Sequence, residues 1–410
     1  MIYRPSKPIV ILGAARTPQG FLGGALEKFS AAALGAAAIS GALGRAGLPP
    51  DEVDECIMGN VVSAGLRQAP AKQAAVSAGI PHDRLFKTVN TVCASGMTAL
   101  QDACMSLSAG IATIAVAGGM ESRSNAPYYL GPFDDSQERL PGKVRGFELR
   151  IKSPGRNASV AEHVEFLKKL KLSGIHEASI YDSLVCPFND GLSMKDYAAR
   201  YAEEAGLTVD VVNAAAGESY RKARAAQAAG DFAREITPAG DVECDEIISE
   251  EREADFRAIS YGFVTAYNAP QLADGAAALV LATEETAESR RLEAIGRIIA
   301  ISRIDTEPSR FVCAPIEAVK RVMEGAEDHL GLIEANESFG MQDPLLRDAF
   351  PDVEMNPYGG AVALGHPVGA SGARVVVTVL NAMTARGHTT GVATICFGSG
   401  GAMAMLVERV

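Results

Sequence analysis

Residues 359–374 read Gly-Gly-Ala-Val-Ala-Leu-Gly-His-Pro-Val-Gly-Ala-Ser-Gly-Ala-Arg, and part of that run has an earlier counterpart. Gly369-Ala370-Ser371-Gly372 stands 276 positions (369 less 93) after Cys93-Ala94-Ser95-Gly96. Two further pairs keep the same interval: Asn60 and Asn336 each end a short apolar run, and Val116-Ala117 returns as Val392-Ala393. Chance supplies any one such match. Three in a single ungapped register point to a duplicated unit.

Working outward, each copy alternates short apolar runs with helical periodicity. Residues 9–13 form an apolar run closed by glycine, a turn passes through Thr17, Pro18 and Gly20, and an alanine-rich segment covers 30–46, which reads as strand, loop, helix. Strands follow at 55–58 and 111–117 and helices at 70–78 and 98–109; strands resume at 276–281, 295–301, 332–334 and 391–396. That alternation predicts an α/β fold around a buried, largely parallel sheet. Between Glu121 and about Ile236 the composition shifts toward Asn, Pro, Tyr, Asp and Lys, a loop-rich excursion inserted in the first copy. Helical spacing appears there at 198–204 and 211–229, with Gly230 as a stop.

The chain of 410 residues is 48% hydrophobic and 21% charged, an ordinary globular composition. Its 38 Lys and Arg against 50 Asp and Glu give a net charge of −12, with no basic run, which argues against nucleic-acid binding. Apolar stretches are interrupted by Gly, Thr or charge short of the ~20 residues that span a bilayer, and the start does not resemble a secretory signal. A soluble, cytoplasmic protein with no membrane partner is expected. Seven cysteines without a CxxC pair read as reduced thiols, and six scattered histidines without HExxH give no metal site. GxGxxG, Walker A and GxSxG patterns are also missing, which leaves thiol chemistry or simple binding.

Cys93 opens a segment, 94–107, with helical spacing. A thiol at a helix N-terminus faces unpaired N–H groups, so its pKa is expected below the free value of ~8.5. The competing reading is a small buried residue. His366, fixed between Gly365 and Pro367, precedes the second copy of that helix, and a pseudo-twofold axis would bring it near Cys93 as a base. Cys396 ends the last strong strand and is followed by Gly398, Gly400 and Gly401, whose backbone N–H groups can approach a carbonyl; a simple strand-end turn is the alternative. Asn336 offers a side-chain amide to a second oxyanion, or makes a local turn. Together these fit a two-step acyl transfer that makes or breaks a carbon–carbon bond. Cys104, on the helix after Cys93, reads as core, and Cys56, Cys186, Cys244 and Cys313 have no comparable setting.

NTVCASGM (90–97), EANESFG (334–340), the run 359–374 and CFGSGG (396–401) occur in order with GNVVSAGLRQAPAKQAA (59–75) and VAGGMESRSNAP (116–127). In this the chain resembles the thiolases, the acetyl-CoA acetyltransferase and 3-ketoacyl-CoA thiolase family, over nearly its whole length except about 130–192. The resemblance implies a five-layer αβαβα fold of two βαβαβαββ halves. It implies an N-terminal half of 1–122 plus about 262–284, a loop domain at 123–261 that receives the pantetheine arm, and a C-terminal half of 285–410. It also implies that Cys93 is the acylated nucleophile, His366 its base and Cys396 the acid/base for the second thioester. Asn336 with His366 would hold one oxyanion, and the backbone N–H groups of Cys93 and Gly398 the other. Met194, Ala266, Phe311 and Phe339 match channel positions.

Four departures accompany the likeness. Ser193 stands where the family commonly has His, and Pro270 where Ser contacts the coenzyme A arm. Ser399 interrupts the glycines after Cys396, and about thirty extra residues fall near 131–179. The implied activity is condensation of two acetyl-CoA or cleavage of acetoacetyl-CoA by free CoA, without a cofactor, in a homodimer or homotetramer. Other 3-ketoacyl-CoA substrates of longer chain are the alternative. A non-catalytic acyl-CoA binder is disfavoured by retention of Cys93, His366, Asn336 and Cys396, and a Cys-His hydrolase has no use for Cys396. Arg252 and Arg257 are candidates for the CoA phosphates.

Overall fold

The computed structural model describes residues 1–130, 175–188, 192–248, 256–326 and 329–410. Most of the expected insertion at 131–179, and Arg252, lie outside the described residues.

In the first half, β1 (Ile9–Arg16) leads to α1 (Ala31–Ala46), β2 (Glu55–Gly59), α2 (Pro70–Ser77), β3 (Leu85–Val89), α3 (Ser95–Ser108) and β4 (Ile114–Glu121). The Ser30 hydroxyl accepts from the Ala33 N–H to start α1, and Gly47 in the left-handed region (φ +63°) ends it. The excursion contributes α4 (Met194–Glu204) and α5 (Val209–Ala229), the latter capped by Thr208 and stopped by Gly230 (φ +77°). The chain then returns through β5 (Ala273–Thr283). The second half runs β6 (Gly296–Asp305), α6 (Ala314–Val322), β7 (Leu332–Ala335), α7 (Gln342–Ala349), β8 (Glu354–Met355), α8 (Val368–Arg386), β9 (Thr390–Cys396) and β10 (Gly401–Glu408). Each half is therefore a βαβαβαββ unit. Ile236, where the excursion was expected to end, makes a single bridge to Arg16.

The strands follow the order β8-β7-β9-β10-β6-β1-β5-β4-β2-β3, with the halves joined where β1 pairs antiparallel to β6, Ile9 opposite Ile298. Outward from that seam both halves repeat one pattern. β1–β5 and β5–β4 are antiparallel, and β4–β2 and β2–β3 parallel; β6–β10 and β10–β9 are antiparallel, and β9–β7 and β7–β8 parallel. The expectation of a largely parallel sheet is thus corrected at its centre. β10 follows β9 through a short turn, and a tight connection forces antiparallel pairing.

Side chains alternate along the central strands, and both faces are covered. Ile9 and Ile11 of β1, Leu279 and Leu281 of β5, and Met403 and Met405 of β10 point to a middle layer formed by α3 and α8. Val10 and Leu12 face α1 and α2 on one outside, while Ala404 and Leu406 face α6 and its neighbours on the other. That gives five layers, αβαβα. Two covered faces explain the near-continuous apolar runs.

The middle layer carries the duplication to atomic detail. A Cβ on Gly96 would lie 2.6 Å from the Ala373 nitrogen, and one on Gly372 would lie 2.6 Å from the Met97 nitrogen. The two glycines are the same position in the two copies, so α3 and α8 cross there backbone to backbone. α8 is also, among the described residues, the one helix long and apolar enough by length and composition to cross a bilayer, against the expectation of no such stretch. Most of its length is buried between the two halves.

Candidate active site

Cys93 sits just ahead of α3, behind a strained residue. Val92 is left-handed (φ +48°), its N–H held by Asn90 Oδ1 at 3.0 Å, and its carbonyl accepts from the Ser95 hydroxyl at 2.6 Å. Ser95 Oγ also accepts from the Thr91 N–H at 2.9 Å. The result points Cys93, only 8% exposed, onto the wall of a cavity of about 290 Å³. Burial decides its titration: the thiol is pushed up to about 12 by loss of water and then by Cys396, while the Gly398 N–H and the Arg123 charge pull it down. The expected depression by the helix start is overturned, because desolvation of a buried thiolate outweighs the partial charge of a helix end. This thiol needs a base.

His366 lies on the same cavity. Gly365 before it is left-handed (φ +82°), and a Cβ there would come 2.4 Å from Ile247 Cδ1, so glycine is required. The His366 N–H donates to the Gln271 carbonyl at 2.9 Å. Its Nδ1 lies 2.6 Å from Ser371 Oγ, whose one proton goes to the Pro367 carbonyl at 3.0 Å. Nδ1 must then be the donor, which leaves the lone pair on Nε2. Nε2 is buried and has no hydrogen-bond partner among the described residues. Burial, with the charges of Arg123 and Arg374, lowers the imidazole to about 3. It is neutral at physiological pH, as a proton acceptor must be.

Cys396 closes β9 and is fully buried. It does not itself line the cavity; its thiol donates to Ser338 Oγ at 2.9 Å, and Ser338 and Gly398 do line it. Burial pushes this thiol up to about 11, with Ser338 and Gln342 lowering it. Asn336 follows β7, and its amide is oriented from both ends. Its Oδ1 accepts from Arg374 Nη2 at 3.3 Å and its Nδ2 donates to Ser338 Oγ at 3.2 Å. Arg374 is fixed in turn by Glu334 at 2.6 Å, both buried.

Met194, Phe311 and Phe339 line the cavity, with the last two rings edge to face at 6.2 Å. Ala266 does not. Its N–H is turned to the Arg257 carbonyl at 3.1 Å, and Ala269, Pro270, Gln271 and Leu272 of the same segment form the wall instead. Two of the departures are therefore on the wall, Ser193 and Pro270. Ser193 donates through Oγ and N–H to Asp196 Oδ2, at 2.6 and 3.1 Å, in the first turn of α4. Ser399 occupies a left-handed position (φ +69°), as glycines do beside it.

Four residues on or near this site escaped the sequence reading. Lys195 lines the cavity, donating from Nζ to the Ile259 carbonyl at 3.1 Å. Ser338 and Ser371 act on Cys396 and His366. Arg123 is a buried guanidinium that donates from Nη1 to Ser183 on the cavity wall, while its Nε and Nη2 have no hydrogen-bond partner among the described residues. Ser371 was detectable as the register partner of Ser95; Arg123 and Ser338 stood inside quoted motifs without a signal of their own.

A thiol that must lose a proton, a neutral imidazole with its free lone pair on the same wall and a second buried thiol behind Ser338 define a thiol-dependent acyl-transfer centre on a duplicated α/β fold. Residues 9–285 match the family model described as Thiolase, N-terminal domain, and residues 292–409 match Thiolase, C-terminal domain. The chain belongs to the thiolase family. It is 34% identical to the acetyl-CoA acetyltransferase of Schizosaccharomyces pombe, with 98% of this chain and 99% of that one covered. An acetyl-CoA acetyltransferase of Escherichia coli is 36% identical over 98% of this chain and 100% of its own. In structure the chain is similar to the Acat5 thiolase from Ascaris suum in complex with coenzyme A, with a TM-score of 0.84 and 33% identity over 98% of this chain and all of that one.

Proposed function

We propose that the chain is an acetyl-CoA C-acetyltransferase, condensing two acetyl-CoA or, in reverse, cleaving acetoacetyl-CoA with free CoA. The observation that carries this reading is the single cavity shared by Cys93, His366 and Gly398. In the first half-reaction His366 Nε2 takes the Cys93 proton, the thiolate attacks the thioester carbonyl, and CoA is expelled as the thiolate, which then takes the Cys396 proton and leaves that sulfur as the base for the next step. The backbone N–H groups of Cys93 and Gly398 stabilise the oxyanion. In the second, Cys396 removes a proton from the methyl carbon of the next acetyl-CoA. The C–H electron pair enters an enolate oxygen held by the Asn336 amide and the His366 imidazolium, and the carbanion then attacks the acyl-enzyme carbonyl. Cys93 leaves as the thiolate and recovers its proton from the His366 imidazolium. No cofactor enters these steps, and coenzyme A thioesters are substrates only.

Relatives named for the same activity over the full chain support the assignment. Met194, Phe311 and Phe339 supply apolar contact for the pantetheine arm, and Lys195 and the exposed Arg257 are our candidates for its phosphates. A homodimer or homotetramer is supported by the edge position of β3 in the sheet and by the exposure of Leu85 on it and of Met105 on α3. Seven free cysteines fit a reducing compartment, which we take to be the cytoplasm.

One observation favours longer 3-ketoacyl chains as a second reading. A further cavity of about 440 Å³ shares Ser183, Met194 and Gly398 with the first and extends past Val92 and Phe188. The test follows the absorbance of magnesium acetoacetyl-CoA with and without free CoA, then repeats it with longer 3-ketoacyl thioesters. Loss only with CoA present is the expected result. Loss without CoA would mean hydrolysis, and loss only with longer chains would transfer the assignment to the second reading.

A further inference from the structure

Ser338 stands between the second sulfur and the cavity. Its Oγ accepts from the Cys396 thiol at 2.9 Å and from Asn336 Nδ2 at 3.2 Å, so one hydroxyl ties the two groups that must act together on the enolate. Its own position is fixed: the backbone N–H of Ser338 donates to Gln342 Oε1 at 2.5 Å, and Gln342 Nε2 donates to the Val312 carbonyl at 3.3 Å. Ser338 lines the cavity, whereas the fully buried Cys396 does not. A hydroxyl that takes two donors keeps its own proton available.

We propose that Ser338 is a positioning residue for Cys396, its hydroxyl accepting from the resting thiol and turning to donate to the thiolate during proton exchange with the α-carbon. The inference rests on the acyltransferase reading and deepens it. In the thiolysis direction the Cys396 S–H bond breaks as the enolate carbon takes the proton and a C–H bond forms. The electron pair left on sulfur then meets the Ser338 O–H, and when CoA returns a proton to sulfur the hydroxyl turns back to accept. A buried thiolate without such a donor would be costly to form, because hydrogen bonds to charged groups count for more than neutral ones.

The experiment compares wild type, Ser338→Ala and Ser338→Thr in two assays. One is the burst of Cys93 acetylation by acetyl-CoA, which is complete before Cys396 gives its proton to the expelled CoA; the other is deuterium incorporation from D2O into the acetyl-CoA methyl, together with the pH profile of thiolysis. For Ser338→Ala the burst persists, deuterium incorporation and thiolysis fall about ten- to a hundredfold, and the limb due to Cys396 moves to higher pH. Ser338→Thr, which keeps the hydroxyl, recovers exchange to within about threefold of wild type. An unmoved pH limb in Ser338→Ala, a burst lost in step with exchange, or no recovery in the threonine variant would overturn the proposal. A wild-type protein without a burst would overturn the acyltransferase reading itself, and this proposal with it.

Discussion

Asn90 and His366 are the same position in the two halves, 276 residues apart, and so are Cys93 and Gly369. Around them the frame is shared. Ser95 and Ser371 each bond back to a carbonyl ahead of the helix, that of Val92 at 2.6 Å and of Pro367 at 3.0 Å. Each also meets a nitrogen, the Thr91 N–H in one half and His366 Nδ1 in the other. What differs is what the frame presents. The first half offers a thiol, and the second offers a base and has no room for a side chain at 369, where a Cβ would lie 2.8 Å from the Met120 carbonyl oxygen. Asn60 and Asn336 diverge likewise: the Asn60 amide is consumed by the Met120 carbonyl and Glu121, whereas that of Asn336 turns to Ser338 beside the cavity. The duplication supplies a geometry, and neither half alone supplies a mechanism.

The largest separation between the halves is expected at that first pair. His366→Gln should slow acetylation of Cys93 by about 10²- to 10⁴-fold, the range of a lost general base, while Asn90→Ala, which only loosens the Val92 turn, stays within about tenfold. Rapid-quench measurement of the acyl-enzyme distinguishes them, and equal losses would erase the distinction. Where the halves are alike the expected effects match. Gly96→Ala and Gly372→Ala each force a methyl against a backbone nitrogen at the same crossing and should each destabilise by about 2–3 kcal/mol, read as similar falls in Tm. A fall in only one variant would break the reciprocal crossing.

The two serines sharpen the contrast on a smaller scale. Ser371→Ala frees the His366 tautomer and should lower the acetylation rate about tenfold with a change in its pH profile, whereas Ser95→Ala should affect stability with no change in profile. A profile moved by both would mean that Ser95 also acts on the chemistry.

The smallest effect concerns acid. His366 titrates near 6.5 unfolded and is lowered to about 3 by burial, so its contribution to stability is complete above 6.5 and is lost as pH falls toward 3. Between about pH 7.5 and 5.5 this amounts to about 1 kcal/mol. Urea titrations at the two pH values should show His366→Gln losing that much less stability than wild type; an identical loss would place the acid sensitivity elsewhere.

How far the sequence carries can be read from the same elements. α1 was legible through Ser30 and its alanines, the end of α5 through Gly230, and the presence of Cys93 and His366 on one cavity through one register. β3 was not, because Leu85–Val89 is a half-exposed edge strand with Lys87 and Thr88 in place of an apolar run. β10 hid behind the glycines that precede it, and with it the antiparallel centre of the sheet, since strand direction is set by connections that periodicity does not encode. The titration of Cys93 was misjudged for a related reason: a helix start is local and visible in sequence, while burial is a property of the whole fold. The tautomer set by Ser371 and the bond from Cys396 to Ser338 depend on side-chain directions that no spacing reports.

Two related halves bring one thiol and one imidazole to a common pocket, and labelling with radioactive acetyl-CoA followed by peptide mapping is the decisive measurement. In wild type the label should approach one acetyl per chain, on the peptide containing Cys93; it should be absent in Cys93→Ala and appear only slowly in His366→Gln. Label on a different cysteine, or label on Cys93 at an undiminished rate without His366, would mean that the two halves do not share this chemistry.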